Sequence, residues 1–205
     1  QDSSRTVKEI GRLDGVAFPN GLGANANGLI ILADSGNTFG AGKLTRVVLN
    51  NAQNPLQGFT LQTWRFGTGH PNGVKVSGNA VYWSQNPLLW VIGNSSVNRT
   101  EIRPDLSAGN TTALYTKYGS VDDIALIKDN FGDDGLLICE FANKRLVHLR
   151  ERDKAVLHTS TVSLAKPSSV ILASNQVAPW STLWITEYDS GALVALTQNW
   201  GLAVR

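Results

Sequence analysis

The amino-acid sequence predicts an all-β fold, a β-propeller with four blade units in view. A unit of one design recurs four times: a turn rich in Pro, Asn, Asp and Gly, then a short apolar strand, then a polar or glycine-bearing break. Its equivalent positions, Asn20, Asn72, Asp122 and Ser168, fall 52, 50 and 46 residues apart, a period of the kind that propeller blades carry. Helical periodicity is poor throughout, whereas strand-length apolar runs bounded by Gly, Asn, Asp and Pro follow one another along the chain. The 205 residues, 42% hydrophobic and 17% charged with 20 glycines, have a globular composition tilted toward turns.

The elements follow in order. The first unit runs from the turn at Phe18–Leu22 (FPNGL) into an apolar strand at Leu29–Asp34, with Lys43–Leu49 as its third strand and Thr60–Arg65 as its fourth. The second opens at His70–Val74 (HPNGV) and continues into Ala80–Ser84, with Thr112–Thr116 as its outer strand. In the third, Val121–Ile124 (VDDI) precedes Gly135–Cys139, then Arg145–Arg150 and Ala155–Thr159. The fourth has Lys166–Leu172 leading into Thr182–Thr186, then Ala192–Leu196. The blades therefore span about 14–65, 66–116, 117–160 and 161–205 within a single domain covering 1–205. Between them, the segment from Gly93 to Asn110 reads as a long solvated loop. Residues 1–13 begin with a polar stretch that resembles a strand end or a frayed terminus.

Composition narrows the partners. A chain of this length buries roughly 70% of the surface its unfolded form exposes, so the core needs no staples. The formal net charge is +2, with Lys and Arg scattered between apolar strands, which gives nucleic-acid binding little support. No apolar stretch approaches the roughly 18 residues of a membrane helix. A small-molecule substrate is the expected partner, with neither nucleic acid nor membrane. Cys139 is the only cysteine and lies in an apolar run, where a buried, inert thiol is expected. Three N-x-Ser/Thr sequons, at Asn94, Asn98 and Asn110, point to a secreted glycoprotein, processed or trimmed ahead of Gln1.

In a propeller, the turns that open the inner strands converge on one channel mouth. Asn20, Asn72, Asp122 and Ser168 are then neighbours, and their oxygens suit a hard cation such as Ca²⁺ or Mg²⁺. Asn and Asp before Gly or a strand are also ordinary turn residues whose side chains bond nearby backbone. His70 precedes the second turn and is a candidate general base or substrate partner, or else plain polar surface. Asp123 is placed to tune Asp122 through like-charge proximity or to cap a strand start. His148 and His158 read as outward-facing or blade-to-blade residues. Of six tryptophans, most have strand spacing and core roles, while Trp90 and Trp180 sit beside Pro-containing loops as candidate walls of an apolar pocket. Nucleophile-elbow, phosphate-loop and His/Cys metal-cluster patterns are absent from the sequence.

The four turn-and-strand motifs (PNGL with ILADS, PNGVKVS with VYWS, DDIAL, PSSV with LWITEY) resemble successive blades of the SMP-30/gluconolactonase-like six-bladed propellers, over about residues 14 to 196. The likeness is to the secreted fungal members, some of which look like hetero-Diels–Alderases of natural-product pathways. In the metal-dependent members a divalent cation is held by a first-blade Glu, an Asn from a PNG-type turn and an Asp one blade on. The resemblance places the Asn ligand at Asn72 and the Asp ligand at Asp122, with Asn20 near substrate or metal, and implies Ca²⁺ as the cofactor. It also implies six blades, of which this chain shows the C-terminal four, with the first-blade Glu unaccounted for. Three functions compete: a metal-assisted hydrolase of a lactone or ester, with Asp122 and His70 catalytic and Asn20, Trp90 and Ser168 binding substrate; a metal-free pericyclase that holds near-attack geometry; and a non-catalytic ligand-binding propeller.

Overall fold

The run Leu136–Cys139 is apolar at every residue because its strand is covered on both faces. Leu136 and Ile138 pack toward one neighbouring sheet with Tyr82, Val97 and Leu114, while Leu137 and Cys139 pack toward the other with Val170, Leu183 and Ile185. Side chains alternate across a strand, so a continuous apolar run is what a sheet sandwiched between two others requires. The computed structural model describes residues 8–37, 42–87, 93–129, 133–172, 181–198 and 202–204.

Four antiparallel sheets form the blades of a propeller arrangement. The first holds β1 (Pro19–Ala24), β2 (Ile30–Asp34), β3 (Lys43–Leu49) and β4 (Phe59–Phe66) in that order, with a 3-10 turn at Pro55–Gln57. The second holds β5 (His70–Ser77), β6 (Ala80–Asn86), β7 (Asn94–Ile102) and β8 (Ala108–Tyr118). The third holds β9 (Ile124–Asp129), β10 (Asp134–Glu140), β11 (Arg145–Arg150) and β12 (Ala155–Thr159), and the fourth β13 (Pro167–Leu172), β14 (Ser181–Glu187) and β15 (Leu193–Gln198). Three apolar layers join successive blades. Ile31, Ala33, Leu44 and Trp64 meet Val74, Val81 and Trp83 between the first two, and the layers around Leu136 and Leu137 join the others. Among the described residues the far face of the fourth blade is uncovered: Ile171 and Trp184, paired across β13 and β14, and Leu193 of β15, opposite Thr186, are 65%, 41% and 63% exposed. Among the described residues no helix is long and apolar enough to cross a membrane.

Several expectations are corrected. The segment from Gly93 to Asn110 is not a solvated loop but the whole of β7, a turn and the start of β8. Polar β7 is buried through hydrogen bonds: Thr100 Oγ1 accepts from Trp83 Nε1 at 3.0 Å and lies 2.7 Å from Thr111 Oγ1. Asn98, one of the three sequon residues, is buried with its amide donating to Ser96 Oγ at 2.9 Å, whereas Asn94 and Asn110 are exposed. The final segment also departs from the fourth blade: β16 (Leu202–Val204) pairs antiparallel with β9, on the inner edge of the third sheet. His148 is buried and stacks on His158 at 5.5 Å. Trp64 and Trp83 are core residues as expected, Trp184 is partly exposed, and Trp90, Trp180 and Trp200 lie outside the described residues.

Candidate functional site

The Pro-Asn-Gly signature builds a β-bulge inside the inner strand instead of a turn before it. Pairing slips between Pro19 and Leu22 in β1, between Pro71 and Val74 in β5, and between Pro167 and Ser169 in β13. Asn20, Asn72 and Ser168 all fall in these slips, and bulges re-aim side chains at strand ends. In the third blade the equivalent backbone stands just ahead of β9. Asp122 N–H donates to Cys139 O at 2.9 Å, and Cys139 N–H donates to Asp123 O at 3.0 Å. Ser84, opposite the β5 bulge, joins the two blades: its hydroxyl donates to Asp122 O at 2.6 Å and accepts from Gly73 N–H at 2.8 Å.

The four repeat-equivalent residues come together. Asn20, Asn72, Asp122 and Ser168, with Lys75, Asp123 and Ser169, line a cavity of about 220 Å³ at the channel mouth. Asn20 is exposed and Asn72 buried. Ser168 Oγ donates to Thr186 O at 3.2 Å. Below the mouth the inner strands surround a space of about 600 Å³ whose walls include Leu22, Val76, Leu126 and Ile171. A smaller chamber of about 90 Å³ adjoins the mouth through the shared residues Asn72 and Asp122, and is completed by Asn86, Ser120, Val121 and Phe141.

The adjacent carboxylates have different surroundings. Asp123 is satisfied across three blades: Lys75 Nζ stands 2.9 Å from its Oδ1, and Ser169 Oγ donates to its Oδ2 at 2.8 Å. The Asp122 carboxyl is pushed up to about 7, first by burial and then by the charge of Asp123, while a hydrogen bond from Asn72 pulls it the other way. Asp122 therefore changes protonation near neutral pH. Burial likewise pushes the Cys139 thiol well up, and it is fully buried.

Other candidates stand elsewhere. His70 is buried, with Nδ1 2.6 Å from Ser35 O, and lines neither mouth chamber. Asp34 and Glu187, one at each equivalent strand end, organise the chain ahead of their own inner strands. Asp34 Oδ1 accepts from the N–H groups of Ala17 and Phe18 at 3.1 and 3.0 Å, and Glu187 Oε1 accepts from Ala165 N–H at 2.7 Å. Trp90 is outside the described residues. Among the described residues no group of three or more His, Cys, Asp or Glu is placed to hold a metal ion. Lys75, Ser84, Asn86 and Ser169 are the site residues that sequence reasoning passed over. Only Lys75, a charge between Val74 and Val76 in an inner strand, left a readable trace.

Comparison with known proteins gives little more. No family model matches the chain, and no curated protein matches it. A solved structure from Bacteroides uniformis ATCC 8492, described as a "putative 6-phosphogluconolactonase", is similar at 14% identity and a TM-score of 0.48, over 86% of this chain and 55% of that one. The chain thus spans about half the length of the structure it matches.

Proposed function

We propose that this chain forms the catalytic mouth of a small-molecule hydrolase resembling the SMP-30/gluconolactonase-like enzymes, which opens a lactone or ester with the help of a divalent cation. The observation that carries the reading is the convergence of Asn20, Asn72, Asp122 and Ser168 on one cavity, with the Asp122 carboxyl raised to about 7. The donor set suits Ca²⁺: hard oxygens only, with a buried carboxylate whose repulsion from Asp123 a cation would relieve. Asn72 and Asp122 would hold it, with Asn20 close by. Such a cation polarises a carbonyl and stabilises the charge that develops on its oxygen.

The chain's own groups supply the proton movements. Asp122, as the carboxylate, takes a proton from a water whose oxygen bonds to the carbonyl carbon. The ring C–O bond then breaks, the leaving oxygen takes that proton from Asp122, and a hydroxy acid departs. Hydrolysis of a lactone panel, with and without chelator, tests the reading. Turnover should vanish on chelation, return with Ca²⁺, and be lost in Asp122→Asn; a fully active chelated protein would sink it.

The uncovered Ile171, Trp184 and Leu193 support a further blade seated on the fourth, as in a six-bladed ring. Secretion rests on the sequons; glycans at Asn94 and Asn110, but not at buried Asn98, would appear as a mass loss on enzymatic deglycosylation.

A second reading is a metal-free, hetero-Diels–Alderase-like enzyme of fungal natural-product biosynthesis. It is favoured by the full satisfaction of Asp123 by Lys75 and Ser169, which leaves one carboxylate to the mouth, and by the apolar walls of the channel below. Product selectivity that survives chelation would choose it.

A further inference from the structure

We propose that the side-chain amide Nδ2 of Asn86 is a hydrogen-bond donor to the carbonyl oxygen of the molecule bound at the mouth. Asn86 closes β6 and is 1% exposed. Its Oδ1 accepts from Val121 N–H at 2.9 Å. A backbone N–H can only donate, so the amide oxygen must face it and Nδ2 must take the other side. Ser95 Oγ lies 3.0 Å from the same oxygen and 2.5 Å from Gly119 O, which divides its single proton between two acceptors and holds the amide in the same sense. Nδ2 has no acceptor among the described residues. With the amide oxygen engaged on one side, Nδ2 is the group that Asn86 has left to offer the space it lines.

That space is the chamber of about 90 Å³ bounded by Asn72, Asn86, Ser120, Asp122 and Phe141. Water occupies about 30 Å³ per molecule in the liquid, so the chamber holds a few waters or the carbonyl end of a ligand, but not a whole ring. The ring would stand in the adjoining mouth cavity, where Asn72 and Asp122 are common to both spaces. Phe141 forms the far wall and is itself held, edge to ring, by Tyr188 at 5.5 Å and by the Lys166 ammonium at 5.5 Å. A neutral donor fixed in advance beside a carbonyl acts as an oxyanion donor does, because it needs no reorientation as charge builds. The assignment deepens the hydrolase reading, on which the identity of the carbonyl rests.

Asn86→Asp keeps an oxygen for Val121 N–H and Ser95 and replaces the donor with an acceptor. Three measurements are made: turnover of the best lactone, thermal midpoint with calcium affinity in parallel, and the Asn86 side-chain NH₂ signals of the wild-type protein during titration with δ-valerolactam, a carbonyl that is not hydrolysed. The expected result is a fall in kcat of about 100-fold at saturating calcium with the fold kept, and a shift of the Asn86 NH₂ signals on lactam binding. Thr100→Val, which removes a hydrogen bond elsewhere in the same blade, should lower the midpoint and leave kcat within about threefold.

Turnover by Asn86→Asp within threefold of wild type, or lactam binding that leaves the Asn86 signals still, overturns the assignment while the hydrolase reading stands. Absent lactone turnover with shifted Asn86 signals overturns the hydrolase reading and keeps the assignment. Absence of both ends both. If Asn86→Asp fails to fold, the wild-type titration alone decides.

Discussion

Gly21 passes so close to the second blade that a methyl group has nowhere to go. A Cβ at this position would stand 2.3 Å from Asn72 O, 2.7 Å from Val74 N and 2.9 Å from Gly73 Cα, all backbone atoms of β5. No side chain can swing aside, so Gly21→Ala must push β1 off β5 by roughly 1 Å to restore ordinary contact. That movement opens the layer in which Leu29, Ile31 and Ala33 meet Val74 and Val81. Overpacking of this kind costs about 1–3 kcal/mol, and an immovable backbone neighbour puts the change near the upper end. For a domain of this size each kcal/mol lowers the midpoint by roughly 2–4 °C, so Tm should fall by about 6–12 °C. Gly28→Ala is the comparison: its φ of +79° disfavours a side chain, but its Cβ would meet open space. The left-handed penalty of about 1 kcal/mol predicts a drop of only about 2–4 °C. Both are read by thermal unfolding in far-UV circular dichroism. If Gly21→Ala melts no lower than Gly28→Ala, the close approach of the two blades at the mouth is wrong.

Two further outcomes follow from titration and burial. Because the folded state raises the Asp122 carboxyl from an ordinary 3.8 to about 7, this group favours folding fully below about pH 4, and that contribution is lost as pH rises through 7. The gap of about three pH units is worth ~4 kcal/mol and is lost progressively between about pH 4 and pH 7, so in chelator Asp122→Asn should melt several degrees above wild type at pH 8, by a smaller margin at pH 5, and level with it only below about pH 4. Equal midpoints at pH 8 would contradict a raised carboxyl. Cys139, fully buried with its thiol pushed well up, should resist a thiol-specific reagent in the native protein and react as one thiol in denaturant; rapid native labelling would contradict its burial.

The third strands at Lys43–Leu49 and Arg145–Arg150 were legible to the residue, because apolar alternation bounded by turn residues is a local signal. Asn72 and Asp122 were legible as partners because the period of the repeat carries them to one end of neighbouring sheets. β7 was not, since only Val97 and Ile102 among its nine residues (NSSVNRTEI) are strongly apolar. Its burial depends on hydrogen bonds from Trp83 and Thr111, which no local window contains. The Pro-Asn-Gly signature reads equally as turn or bulge, because both need the same backbone freedom; the pairing partner decides. His70 read as a candidate base or as polar surface, and its burial was not legible because its partner, Ser35 O, lies in another blade. Lys75 and Asn86 acquire meaning only from Asp123 and Val121, 48 and 35 residues away. The short β16 carries too few residues for any pattern.

The slip in pairing at the head of β1, β5 and β13 also sets which kinds of sequence change the mouth can accept. A strand presents alternate residues to opposite sides, and a bulge sets one extra residue against the partner strand, so one residue removed at the slip restores plain pairing and keeps the parity of both flanks. At Ser168, Pro167 would stay opposite Glu187 and Ser169 opposite Thr186, with Val170 and Leu172 still packed against the third blade, whereas a residue removed elsewhere in β13 would turn one flank over. Exchange of one side chain for another at these positions leaves that parity untouched. Chemistry at the mouth is thus free to drift by substitution or by loss of the extra residue, while a single-residue change of length elsewhere in the inner strands would reverse the faces beyond it.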